Sequence, residues 1–158
     1  MQRLRPQVEL LAGQDHLVRA VAAQDIDQLG QLLTTEIERL SLVFDTGVVP
    51  QFEVSTRDGT MLYDAGSGGA HQGRLLTMPV VQAAADLGTT RAGLTRRSDG
   101  SFVVAAVAPV YTRDGLAAFL ALWLPINQAV DSLARRCRQM STSSRRRARR
   151  QGTARVLS

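Results

Sequence analysis

Lysine is absent from this chain, so all 19 basic residues are arginine. Cysteine occurs once, at Cys137, which excludes an internal disulfide and a cysteine-rich metal site. Aromatic residues are scarce: four Phe, two Tyr and one Trp in 158 residues. The core therefore has to be built from Leu, Val, Ile and Ala. No apolar run approaches the roughly 18 residues that a membrane-crossing helix needs, and the start lacks the charged-then-apolar pattern of a signal peptide. Histidine is limited to His16 and His71, and no His, Cys or Asp grouping has metal-ligand spacing. The Gly66-Ser67-Gly68-Gly69 run lacks the lysine and following Ser or Thr of a phosphate loop. No nucleophile elbow surrounds a serine. No catalytic constellation is visible, and the reading is of a non-enzymatic chain without a cofactor or metal.

What is present has the proportions of one globular domain. The apolar fraction is 44% and the charged fraction 21%. A chain of this length buries roughly two-thirds of its unfolded surface. The charge is unevenly placed. Residues 1–131 hold ten arginines and all 14 acids, whereas residues 132–158 hold nine arginines and no acid. The formal net charge of +5 is thus a property of the tail, not of a basic domain surface. No aromatic residue lies in the tail to stack on bases, so it reads as a solvated, disordered terminus and not as a specific nucleic-acid site. Cys137, in the same basic region, has no partner residue for chemistry and reads as inert.

Periodicity orders the rest. From Leu4 to Phe44 the chain reads as helical. Ile26, Leu29, Leu33, Ile37, Leu40 and Phe44 form one stripe, and Leu10, Leu17 and Val21 a weaker earlier one. A break is predicted near Ala23 to Asp25, with Asp25 capping the second segment. The stripe also keeps a heptad-like rhythm that would suit pairing with a second copy. Val48, Val49, Phe52 and Val54 predict a strand opened by Pro50, and Asp58-Gly59 predicts a tight turn into a return strand at Met61-Leu62-Tyr63. A glycine-rich loop follows over 65–73, then a short helix from Pro79 to Leu87 stopped by Gly88. Three more strands are predicted at Thr89–Arg96, Ser101–Thr112 and Leu116–Ile126. Asp-Gly turns at 99–100 and 114–115 separate them. Asn127 caps a last helix to about Met140. Hairpin-joined strands imply an antiparallel sheet with helices gathered on one face, an α+β fold. Leu116 to Leu124, apolar on both faces, belongs at its centre.

In order, "VAAQDIDQLGQLLTTEIERL", "FEVSTRDGTMLYDAG" and "GRLLTMPVVQAAADLGTTRAGLTRRSDGSFVVAAVAPVYTRDGLAAFLALWLPI" resemble a single Cache domain, the PAS-like extracytoplasmic sensor of bacterial receptors. The resemblance covers about Leu10 to Leu133. It implies a five-stranded antiparallel sheet of order 2-1-5-4-3, a long N-terminal helix, a short helix after strand 2 and a C-terminal helix. It also implies a pocket between the sheet and the loop and helix after strand 2. The implied role is a small-molecule-sensing input module of a chemoreceptor, histidine kinase or cyclase, placed outside the cytoplasm and homodimeric through the N-terminal helix. Contact with a membrane would run only through spans that this chain does not contain. The organisation that follows is a helical segment at 1–46, a sensor core at 47–126, an exit helix at 127–140 and a basic tail at 141–158. A cytoplasmic GAF-like or roadblock-like regulatory domain shares the helix-and-sheet plan; strand order separates the two.

Five residues are candidates for holding an anionic metabolite such as an organic or amino acid. Arg74, Arg91 and Arg96 offer guanidinium forks matched to a carboxylate, and Tyr63 and Tyr111 offer hydroxyls at strand ends. Strand alternation puts Arg91 and Arg96 on opposite faces unless a bulge intervenes, with Leu94 marking the Arg96 side as the half-buried one. The bland alternative for each arginine is a solvated surface position. His71, alone in the glycine-rich loop, reads as exposed and idle.

Overall fold

The computed structural model describes residues 4–44, 49–64, 78–96 and 101–126. Within them lie four helices: α1 (Leu4–Ala12), α2 (Asp15–Ala23), α3 (Ile26–Phe44) and α4 (Pro79–Leu87). The strands are β1 (Gln51–Thr56), β2 (Met61–Asp64), β3 (Arg91–Arg96), β4 (Phe102–Thr112) and β5 (Gly115–Pro125). The glycine-rich loop, the turn at 97–100, the exit helix and the tail fall outside the described residues.

The N-terminal segment breaks twice, not once. At the anticipated place, Gln24 adopts φ 52°. The amides of Gln24 and Asp25 bond back to the carbonyls of Val21 (3.1 Å) and Ala20 (2.9 Å), closing the last turn of α2. The Asp25 carboxylate then accepts the Gln28 amide at 2.9 Å and starts α3. The second break, at Gly13-Gln14, was not anticipated. It explains why Leu10 is 63% exposed: a stripe counted across two helices is not one face, and α1 instead buries Leu4, Val8 and Leu11. On α3, Leu29, Leu33 and Leu40 are buried as predicted, while Ile26, in the first turn beside the cap, is not.

All neighbouring strands are antiparallel, in the order β2-β1-β5-β4-β3, with β5 central as expected. Two Asp-Gly turns make the hairpins, with Gly59 at φ 92° and Gly115 at φ 109°, values that favour glycine. At the first, the Thr56 hydroxyl donates to the Asp58 carboxylate and holds its pKa below the ordinary 3.8.

The helices do not gather on one face. The larger core packs α1, α2 and α3 on Phe52, Val54, Ala106, Leu120 and Leu122. The smaller core packs α4, through Met78, Val81 and Ala84, on the opposite set: Val103, Ala105, Val107, Phe119, Ala121 and Trp123. Each of β4 and β5 therefore sends alternate side chains into different cores, which is why both strands are apolar at nearly every position. The stripe of α3 read as a dimer seam is occupied inside the chain: Leu29, Leu33 and Leu40 belong to the larger core.

Candidate functional site

In an antiparallel sheet, residues directly opposite one another share a face. On the α4 side the register draws a row across five strands: Asp64, Glu53, Ala121, Val107 and Arg91. The adjacent row is Gln51, Trp123, Ala105 and Gly93, and on the other side Ser55 stands opposite Phe119. The floor these rows make is low in the middle, where Ala105, Ala121 and Gly93 stand. A Cβ added at Gly93 meets no described atom within 4 Å.

Helix α4 packs over β3 and β4. Its position follows from local chemistry: Pro79 sits at the first helical turn, and Gly88 at φ 60° ends the helix three residues before β3. The half of the face on β1 and β5 is nonetheless buried, with Ser55, Phe119, Ala121 and Trp123 at 0–1% exposure and Glu53 at 5%. Strand β1 lies between β2 and β5 and is buried on both faces, so polar side chains at Glu53 and Ser55 are costly unless engaged. Glu53 has an interaction of its own. Ser55 does not: its Oγ is buried with no hydrogen-bond partner among the described residues. A hydroxyl left so costs about 1–3 kcal/mol. Its position coincides with the irregularity in the β1–β2 pairing between Val54 and Ser55, the kind of bulge that re-aims a side chain.

At the far end of the row, Arg91 is half-buried. Its Nε is buried without a hydrogen-bond partner, and no described carboxylate forms an ion pair with it. A guanidinium partly removed from water and unpaired is the arrangement an incoming anion would relieve.

The five predicted site residues do not converge. Arg91 alone among them is described on this face. Tyr63 pairs with Val54 and so turns to the opposite side, where it packs on the larger core beneath α3. Arg96 also points to that opposite side, since β3 pairs with β4 without a bulge, and its guanidinium carbon lies 5.9 Å from the centroid of the Phe102 ring. The prediction that the Arg96 side is the half-buried one is corrected: Leu94 is 56% exposed, whereas Thr95 on the Arg91 side is buried. β3 is an edge strand and α1–α3 do not reach over Leu94, while α4 covers the other side. Tyr111 is 49% exposed and donates its hydroxyl to the Gly88 carbonyl at 3.3 Å. Arg74 lies outside the described residues, as does His71.

Tyr111 instead borders a second concavity, an open groove of about 890 Å³ between the α1–α2 junction, the end of α4 and β4. Its charges are largely partnered: Arg5 lies 4.0 Å from Glu9, and Arg19 Nε donates to the Asp15 carbonyl at 3.2 Å. Exposed pairs of this sort contribute little and mark a solvated surface. The unsatisfied Ser55 on the α4 face was missed by sequence reading. The signal available was a polar pair, Glu53 and Ser55, in a strand with neighbours on both sides.

No protein-family model and no curated protein matches the chain. Solved structures do. The sensor domain of the histidine kinase DctB from V. cholerae has a TM-score of 0.57 at 13% identity, over 83% of this chain and 51% of that one. The extracellular domain of vpHK1S-Z8, described as a histidine kinase, has a TM-score of 0.54 at 16% identity, over 80% and 52%. The chain spans about half the length of each. At such identities the likeness is one of fold, and the fold is that of a Cache-type, PAS-like sensor domain.

Proposed function

We propose that this chain is a small-molecule-sensing module without catalytic activity, the input part of a bacterial signal-transduction receptor. The ligand lies on the α4 side of the sheet. The observation that carries the reading is Ser55 Oγ, fully buried on that face and unsatisfied among the described residues. Arg91, half-buried and unpaired on the same face, adds an anion-binding group. The strand order is the one expected of a Cache domain and supports this reading over a GAF-like or roadblock-like regulator. No described helix is long and apolar enough to cross a membrane. A place outside the cytoplasm belongs to the same proposal, on the likeness in fold to an extracellular domain. So does a homodimer, which would use the outer faces of the N-terminal helices, where Leu42 is exposed.

A thermal-shift screen of the full chain against amino acids, organic acids and purines tests the reading. A ligand at a hundredfold excess over its Kd contributes about 2.7 kcal/mol, or upward of about 5 °C for a domain of this size. The shift should shrink in Arg91→Ala and persist in Arg113→Ala, a control on the open groove. A screen with no stabilising compound, or a hit equally sensitive to both substitutions, contradicts it.

A further inference from the structure

We infer that the ligand is a short, singly charged carboxylate with a neutral hydroxyl or carbonyl at its far end, its carboxylate held by Arg91 and its far end by Ser55. The inference rests on the sensing function proposed above and specifies the ligand's chemistry. Two polar atoms on this face lack partners among the described residues, and they differ in kind: a guanidinium Nε on β3 and a neutral hydroxyl on β1. The guanidinium presents a fork of donors suited to one carboxylate. Ser55 Oγ donates one hydrogen bond and accepts others, which suits a hydroxyl or carbonyl.

Position sets the length. β3 and β1 are separated by β4 and β5. Three inter-strand steps put about 14 Å between their backbones, a span that the arginine side chain, two hydrogen bonds and a chain of about five carbons fill together. Between the two ends lie Val107, Ala121 and Phe119, which offer no polar group to a ligand's middle. A second carboxylate is disfavoured, because Ser55 is two residues along β1 from Glu53, an acid buried on the same face. Two carboxylates sharing a buried site cannot both stay ionised without cost.

Calorimetric titration of the full chain with three five-carbon probes decides the matter: valerate, 5-hydroxyvalerate and glutarate. The expected result is that 5-hydroxyvalerate binds at least tenfold more tightly than either of the others. Ser55→Ala should bring 5-hydroxyvalerate down to the level of valerate, and Arg91→Met should abolish binding of the series. Without ligand, Ser55→Ala should keep or raise the melting temperature, because the replaced hydroxyl is unsatisfied. Glutarate binding tightest, no probe binding, an advantage of 5-hydroxyvalerate that survives Ser55→Ala, or a Ser55→Ala melting point lower by more than about 3 °C each overturns the inference. If glutarate or a compound of another class binds and loses its shift in Arg91→Met, this inference falls and the sensing function stands. If the broad screen yields nothing, the sensing function itself falls.

Discussion

Residues on this sheet act according to the face they occupy, and single positions carry consequences that composition hides. Gly88 is one. Its φ of 60° lies in the left-handed region, and a Cβ added there would stand 3.0 Å from Tyr111 Oη. Gly88→Ala therefore meets two penalties, the left-handed backbone and the hydroxyl. Urea unfolding should show a loss of about 1–2 kcal/mol. Part of that loss should be recovered when Tyr111→Phe removes the hydroxyl, although that change alone also deletes the bond to the Gly88 carbonyl. Additive losses in the double variant would mean that the two groups do not meet in solution.

Among the elements, the turns and short helix were the most legible. Asp58-Gly59 and Asp114-Gly115 fix hairpins because only positive φ closes turns so short, and Pro79 and Gly88 bracket α4 for reasons local to the chain. The breaks in the N-terminal helices were half legible. Asp25 announces its role, but Gln24, a residue with a side chain in the left-handed region, announces nothing. The face that α4 covers was not legible, since an apolar helical stripe says that a helix packs without saying on which side of a sheet. The site suffered from the same gap. Arg91 could be proposed from its chemistry, but Tyr63 and Arg96 were grouped with it before the register assigned them to the far side. Ser55 is one of many serines until β1 is known to have neighbours on both sides.

Helix α3 offers a test at the same scale. Gly30 lies in its interior, and a Cβ there would sit 3.7 Å from the Tyr63 ring, an ordinary contact. Gly30→Ala should stabilise the chain by about 0.5–1 kcal/mol through helix propensity alone. A destabilisation in the same unfolding assay would show α3 seated closer to β2 than the structure has it.

Considered whole, the molecule is a sheet with unequal sides. One is filled by three helices over a continuous apolar core. The other is covered by α4 on its β3–β4 half, and its β1–β5 half buries a serine that no described group satisfies. That asymmetry distinguishes a module built to hold a guest from one whose sheet only supports helices. Amide NMR of the full chain titrated with the strongest screening hit tests it directly. The account predicts the largest shift changes at Glu53 to Ser55, Phe119 to Trp123 and Arg91 to Thr95. Changes confined to Thr89, Thr90 and Ala108 to Arg113, around the open groove, would contradict it.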